Sequence, residues 1–134
     1  MFEYRAMLMK VVDGDTVDLS VDLGFRIYTK IRVRLAGIDT PEVRGPERPQ
    51  GLDAKDYLKA VLGRNFAVEF GIVIRTNKTG KYGRWIADIF LPTDGLNTSD
   101  PTIRDSITVV QDQAMLHVNK LLVNSGHARR LDGC

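Results

Sequence analysis

The chain has 134 residues, a formal net charge of +2, 43% hydrophobic residues and 27% charged residues. This length predicts one domain over residues 1–134 with a substantial core, and the composition excludes an intrinsically disordered chain. The single cysteine, Cys134, excludes an intramolecular disulfide, and the spacing of His117 and His127 does not match a zinc motif. The small positive excess permits a nucleic-acid partner without requiring one.

The N-terminal segment lacks the charged and then apolar pattern of a signal peptide, and no run of about 18 apolar residues occurs in the sequence. We therefore expect a cytoplasmic protein with no membrane partner. A secreted protein whose leader has been removed would present the same sequence.

The first half of the chain alternates between apolar and polar residues, which predicts β-strands. A first strand is expected from Phe2 to Val12. The next strand, Val17 to Leu23, places four apolar residues on one face: Val17, Leu19, Val21 and Leu23. In Ile31 to Leu35 the same alternation places Arg32 and Arg34 together on the face opposite the core.

The period changes to that of a helix between Leu52 and Leu62, and Gly63 follows as a stop signal. The apolar face expected for this helix consists of Ala54, Tyr57, Leu58, Val61 and Leu62. Alternation returns in two further strands, Phe66 to Ile74 and Trp85 to Leu91. A second helix is expected between Asp112 as N-cap and Gly126. Its apolar stripe consists of Ala114, Met115, Val118, Leu121 and Leu122.

The segment from Pro92 to Val110 is rich in loop residues and is expected to be an insertion, with a short strand at Ile107 to Val110. The order of three strands, a helix, two strands and a helix predicts an α+β fold that is mainly β. Its expected architecture is a five-stranded Greek-key barrel of the OB type with two helices.

Three short segments carry the candidate chemistry: Asp13 to Val17, Arg34 to Glu42, and Lys81 to Arg84. Asp15 and Asp39 fall near the ends of two different strands, and their hard oxygen atoms suit Ca²⁺ or Mg²⁺ better than zinc. Taken singly, each aspartate also has an ordinary structural alternative, in a tight turn or at a cap.

Glu42 follows Asp39 by three residues and can act as a general base that takes a proton from water. The alternative is that Asp39 and Glu42 form a capping box at the start of a helix. Arg34 and Arg84 each offer a planar set of donors to phosphate oxygens, although a single strand arginine is commonly a solvated surface charge.

The charges of this constellation favour a metal. Three carboxylates, two arginines and one divalent ion sum to a single positive charge, which a phosphodiester neutralises. Without the ion the cluster has a single negative charge and repels phosphate. The constellation therefore predicts metal dependence.

The order and local spacing of the three segments resemble the staphylococcal-nuclease (thermonuclease-like) family, from about Phe2 to Arg130. The resemblance implies an OB-type barrel that binds Ca²⁺ and cleaves DNA and RNA. We expect single strands as the nucleic-acid partner. Its expected metal site combines Asp15, Asp39 and the backbone carbonyl of Thr40.

The same resemblance assigns the remaining site residues. Glu42 corresponds to the general base, and Arg34 and Arg84 to the phosphate-binding pair. Lys81 and Tyr82 correspond to residues beside the terminal phosphate of a nucleotide. The resemblance also implies that Asn119 is a buried structural amide in the second helix.

The chain departs from the family pattern in several places. The turn between the second and third strands is longer, and Pro92 to Val110 has no counterpart. The final helix of the family and two tyrosines that precede it are missing. Three outcomes are open from the sequence: weak substrate binding, a pocket completed by the insertion, or a pocket completed by another subunit of an oligomer.

Three functions are compatible with these patterns. The first is a calcium-dependent nuclease. It is favoured because all five candidate catalytic and metal-binding side chains are present, namely Asp15, Arg34, Asp39, Glu42 and Arg84. The alternative is a catalytically weak or inactive OB-fold module that binds nucleic acid or serves as a scaffold. The last is an OB domain that binds a protein partner through the insertion.

Overall fold

A computed structural model of the chain describes residues 2–63, 70–79 and 85–131. The first half contains three long strands followed by a short strand and a helix. Their bounds are β1 (Phe2–Asp13), β2 (Thr16–Asp22), β3 (Tyr28–Leu35), β4 (Ile38–Asp39) and α1 (Arg48–Leu62). The second half contains two long strands and then shorter elements. Their bounds are β5 (Ile72–Thr79), β6 (Trp85–Pro92), α2 (Pro101–Arg104), β7 (Ile107–Val110), β8 (Gln113–His117), α3 (Val118–Asn124) and β9 (Arg129–Arg130).

Five strands form a closed barrel, which confirms the predicted OB-type fold. Their order is β3-β2-β1-β5-β6, and all four of these neighbouring pairs are antiparallel. The barrel closes where β3 pairs with β6 in parallel, with Arg34 opposite Ile86. This closing seam places the end of β3, and therefore Arg34, next to the start of β6.

Asn119 on α3 ties this seam together. Its side-chain oxygen accepts a hydrogen bond from the Ile89 amide at 3.0 Å, and its side-chain nitrogen donates to the carbonyls of Ala36 at 3.0 Å and Ala87 at 3.2 Å. The side chain is 2% exposed, so the expectation of a buried structural amide is confirmed.

The barrel core confirms most of the predicted alternation. Inward-facing residues of β2, β3, β5 and β6 are buried together with residues of α1 and α3. Leu23 is an exception. It lies beyond the end of β2 and is 46% exposed, because the chain already turns there. Three successive residues of that turn, Gly24, Phe25 and Arg26, have positive φ, and Phe25 is 97% exposed.

The helix predicted at Leu52 begins earlier, at Arg48. A 3-10 turn at Gly45–Glu47 leads into it, and the proline in its first turn suits a position whose amide needs no partner within the helix. The helix ends at Leu62, as Gly63 indicated. Its buried face includes Ala54, Leu58, Val61 and Leu62, as predicted.

The second predicted helix is wrong in its first half. Gln113–His117 is a strand that pairs with β6 and β7, so only Val118–Asn124 is helical. Asp112 is not an N-cap, because it lies with positive φ in the turn between β7 and β8. Met115 is buried in the sheet, where it lies opposite Pro92 of β6 and Thr108 of β7.

Strand β5 runs from Ile72 to Thr79, and Phe70, which was expected to lie in this strand, has a positive φ of 56°. Residues 64–69, with the first part of the strand predicted from Phe66, lie outside the described part of the chain. Trp85 to Leu91 is confirmed as β6. The strand at Ile107–Val110 is confirmed as β7, and with β8 it extends the barrel sheet to seven strands.

The predicted count of five strands holds for the barrel but not for the whole described structure. Besides the β7–β8 hairpin, β4 and β9 form a separate two-stranded sheet that no sequence pattern indicated. In the described segments, no helix is both long enough and apolar enough to cross a bilayer.

Candidate active site

The β1–β2 turn and the segment after β4 bring Asp15 and Thr40 together. The backbone of Asp15 is held by the Leu35 amide, which donates to its carbonyl at 2.8 Å. The amide of Thr40 donates to the Asp15 carboxylate at 3.3 Å. Two segments that are 25 residues apart in sequence therefore meet at one carboxylate.

Arg34 links the two predicted metal ligands. Its Nη2 atom lies 3.4 Å from Oδ1 of Asp39 and 3.7 Å from Oδ2 of Asp15. The Asp15 side chain is 12% exposed, whereas those of Asp39 and Arg34 are about one-third exposed. The two carboxylates therefore face a common point that is occupied by a cationic nitrogen.

A tightly packed glycine sets the shape of the turn under these carboxylates. A Cβ atom on Gly14 would lie 2.7 Å from Cβ of Ala54 and 3.0 Å from Oγ1 of Thr40. The turn therefore packs directly on α1 and on Thr40. Within the described segments, the buried Oγ1 of Thr40 has no hydrogen-bond partner, whereas Oγ1 of Thr16 donates to Asp15 at 3.0 Å.

Glu42 lies in the same cleft but in a more open position. The cleft has a volume of about 540 Å³, and its walls include Asp15, Arg34, Asp39, Thr40 and Glu42. Glu42 is exposed to solvent. All the predicted catalytic and metal-binding residues that the structure describes therefore line one cleft.

The backbone of Glu42 is fixed from two sides. Its amide donates to the Glu47 carboxylate at 3.3 Å. A Cβ atom on Gly51 of α1 would overlap the Glu42 carbonyl and would lie 2.7 Å from the amide nitrogen of Val43. The capping-box alternative for Asp39 and Glu42 is wrong, because no helix begins at Asp39 and the chain continues instead to the 3-10 turn.

Three predicted residues, Lys81, Tyr82 and Arg84, lie outside the described part of the chain. Their assignments to substrate and phosphate binding stay predictions. The described strand β6 begins directly afterwards, at Trp85, which pairs with Val33.

Arg129 also belongs to the site, although no sequence pattern indicated it. Strand β9 pairs with β4 so that Arg129 lies opposite Asp39, and its Nη2 atom donates to Oδ2 of Asp39 at 3.1 Å. The two oxygens of Asp39 therefore face two different arginines. A separation of 90 residues and a two-residue strand left no local signal for this contact.

A further carboxylate, Asp13, also lines the cleft. Burial raises the pKa of Asp13, and the negative charge of Asp15 raises it further, while Lys55, Arg44 and Arg32 oppose the increase. The Asp-Gly-Asp pattern contained this residue, but only Asp15 was assigned a role from the sequence. The cleft thus concentrates negative charge from four carboxylates: Asp13, Asp15, Asp39 and Glu42.

The donors in the cleft fit a hard divalent cation. Carboxylate and carbonyl oxygens are the ligands that Ca²⁺ prefers, and Asp15 and Asp39 already converge on a positive charge. No three acidic or histidine side chains in the described ranges form a ready cluster for a metal. Two aspartates would therefore need a backbone carbonyl, such as that of Thr40, and water to complete the coordination.

A second cleft of about 590 Å³ opens on the other side of Arg34, between the closing seam and α3. His117 and Asp88 form a pair in its wall, with Nε2 of the histidine 2.9 Å from Oδ1 of the aspartate. The imidazole also stacks on Phe90, with ring centroids 4.9 Å apart. Lys120 and Arg130 add positive charge to this wall.

Comparison with known proteins gives two results. The family model described as staphylococcal nuclease homologue matches residues 32–132, a range that contains every predicted site residue except Asp15. Protein ParB of Escherichia coli is 27% identical to this chain over 130 residues, which cover 97% of the chain. The chain spans 63% of the length of that curated relative.

Proposed function

Because the chain belongs to the staphylococcal nuclease homologue family, we propose that it is a calcium-dependent nuclease that hydrolyses phosphodiester bonds in DNA or RNA. Family membership indicates, more broadly, a module that is nuclease-like or binds nucleic acid. The observation that carries the finer proposal is the convergence of Asp15, Asp39 and Arg34 in the cleft that Glu42 also lines.

In this proposal Asp15, Asp39 and the Thr40 carbonyl hold the calcium ion. The ion supplies Lewis-acid polarisation of a phosphoryl oxygen when it is bound. The buried side of the cleft limits access of bulk water to Asp15, which is 8% exposed as a residue. Electrostatic interactions with a phosphate are therefore stronger there than at an open surface.

Glu42 is the proposed general base. Its exposure leaves it free to accept a proton from water, and the close packing of Gly51 against its backbone keeps its position fixed. Positioned proton transfer of this kind contributes about 10²- to 10⁴-fold to a rate.

Arg34 is the proposed phosphate ligand. Its guanidinium lies at the junction between the carboxylate cleft and the cleft beside α3. A phosphate bound there can accept hydrogen bonds from the guanidinium donors and compensate the positive charge. We propose the same role for Arg84 on the basis of the sequence motif.

The test is cleavage of denatured DNA and of RNA by the purified protein, in Ca²⁺ and then in chelator. We expect cleavage only with Ca²⁺, and a loss of at least about 10²-fold in Glu42→Gln. Asp94→Asn, in an exposed loop, is the matched control and should behave as the unmodified protein. Equal cleavage with and without Ca²⁺, or none in either, would contradict the proposal.

One observation favours the alternative of a binding module without efficient turnover. Arg34 and Arg129 both contact Asp39, so its charge is already compensated without a metal. In that case nucleic acid should bind in chelator, no cleavage should occur, and Glu42→Gln should change nothing.

A further inference from the structure

A third cleft lies between β1 and α1 and is rich in lysine. Its volume is about 430 Å³. Lys10 of β1 and Lys55 and Lys59 of α1 surround it, and Leu8 and Val11 supply apolar walls. We refer to this feature as the lysine cleft.

The lysine cleft is continuous with the candidate active site. Lys55 lines both the lysine cleft and the cleft that contains Asp15 and Glu42. Lys59 follows Lys55 by four residues, which places both on one face of α1 about 6 Å apart along the helix axis. A linear polyanion that leaves the active site past Lys55 would therefore meet Lys59 and Lys10 next.

The three lysines form no ion pair with a described residue: no carboxylate in the described part of the chain lies within ion-pair distance of Lys10, Lys55 or Lys59. Asp18, on whose carboxylate the charge of Lys10 acts, is bound through both oxygens by Arg32, at 2.7 and 3.1 Å. The charge of Lys55 acts at longer range on Asp13 in the neighbouring cleft. The lysine side chains are therefore available to an external anion.

We propose that the lysine cleft binds the phosphate backbone of the nucleic-acid strand beyond the bond at the active site. Lysine ammonium groups bind phosphates without regard to base sequence, and the apolar walls offer contact to sugars or bases. Because the lysine cleft continues from the proposed phosphodiester site through Lys55, its ligand is a nucleic-acid strand rather than an acidic peptide or an anionic lipid surface. This inference rests on the proposed function for its direction, but its test does not require cleavage.

The experiment measures binding of a single-stranded oligonucleotide in chelator, as a function of salt, to a triple variant with Lys10→Gln, Lys55→Gln and Lys59→Gln. The slope of log K against log salt is negative, and loss of three phosphate contacts to a single strand should reduce its magnitude by about 2. By the same relation, the triple variant should bind the oligonucleotide about 10²-fold more weakly than the unmodified protein at 0.1 M salt.

The control is a triple variant that also loses three positive charges, at residues that line neither the lysine cleft nor the active-site cleft: Arg26→Gln, Lys30→Gln and Arg104→Gln. It should retain the slope of the unmodified protein to within a fraction of one unit. An equal loss in both triple variants, or no change in the lysine-cleft variant, would overturn the inference. Preferential binding of an acidic peptide or of anionic vesicles that depends on the same lysines would also overturn it.

Two further measurements separate this inference from the proposed function. If the protein cleaves, a double variant with Lys10→Gln and Lys59→Gln, which leaves Lys55 of the active-site cleft in place, should be impaired on the oligonucleotide but not on a small aryl phosphodiester of a mononucleotide. If no substrate is cleaved but the salt slope still depends on the lysines, the nuclease proposal fails and the lysine cleft stands. Because Lys10 and Lys59 are exposed, Lys10→Gln and Lys59→Gln alone should fold normally, and each should lower the slope by about 0.7.

Discussion

Replacement of Gly51 by alanine tests whether α1 positions Glu42. The new Cβ would overlap the Glu42 carbonyl and would lie 2.7 Å from the Val43 amide nitrogen, whereas ordinary contacts begin at 3.4 Å, so the helix and the Glu42 segment must separate by more than about 0.7 Å. Overpacking typically costs about 1–3 kcal/mol, and the overlap with backbone atoms places this case at the upper end of that range. The higher helix propensity of alanine returns up to about 1 kcal/mol, so we expect a net loss of stability of about 2 kcal/mol.

The effect on cleavage should be larger than the effect on stability. A misplacement of about 1 Å in a catalytic group can lower a rate about 10²-fold, and the Gly51→Ala shift acts directly on the backbone of Glu42. Thermal unfolding and the rate of DNA cleavage measure the two effects. Asp53→Ala, at an exposed position of the same helix, is the control and should change neither by a comparable amount.

The displacement of Glu42 by Gly51→Ala can also be measured without an activity assay. The carboxyl resonance of Glu42 in NMR spectra should shift in Gly51→Ala and stay unchanged in Asp53→Ala. A Gly51→Ala protein with unchanged stability, and with Glu42 in its original position in a crystal structure, would refute this expectation.

Three other measurements test other parts of the molecule. Asn119→Ala leaves the Ile89 amide and the Ala36 carbonyl without the partners that Asn119 supplies, while the Ala87 carbonyl still accepts from the Ala36 amide. The change should cost about 2–3 kcal/mol in urea unfolding, whereas a loss below about 1 kcal/mol would contradict the role of Asn119 at the closing seam. Arg32 lowers the pKa of Asp18 in the folded protein by hydrogen bonding. The ion pair should therefore stabilise the folded state fully at pH values above the pKa of an unfolded aspartate, about 3.9. This stabilisation should disappear as the pH falls through the lower pKa of Asp18 in the folded state. Asp18→Asn should therefore be less stable than the unmodified protein at pH 7 and equally stable near pH 2, as followed by thermal unfolding, and a difference that persists near pH 2 would argue against the ion pair. Addition of Ca²⁺ should raise the melting temperature, chelator should reverse the increase, and Asp39→Ala should remove it, whereas an unchanged calcium response in Asp39→Ala would exclude this residue as a ligand.

The parts of the fold that were predictable are those in which one local period dominates. Alternation in β2 and β3 identified the buried Val17 and Val33, and the helical spacing in α1 identified Leu58. Between Gln113 and Asn124 the apolar residues fit both periods, and pairing with β6 determined that the first five residues form a strand. Short apolar runs carry no local information about such a partner.

The candidate site divides in the same way. Asp15, Arg34 and Asp39 were identifiable because each belongs to a short motif, and the structure brings these three together. Arg129 was not identifiable, because a strand pairing between distant segments places it at Asp39. The position of Gly51 against Glu42 likewise depends on the docking of α1, which no local pattern encodes.

The parallel pairing of β3 with β6 has a consequence for how the protein folds. It joins segments that are distant in sequence, so its loop-closure entropy is unfavourable until the intervening β1–β5 and β5–β6 contacts have formed. Arg34 belongs to this pairing, and the side-chain hydrogen bonds of Asn119 connect the paired strands to α3. Any intermediate in which the barrel is still open should therefore lack the arrangement of Arg34 with Asp15 and Asp39, so that ligand binding during refolding would report the last step of assembly.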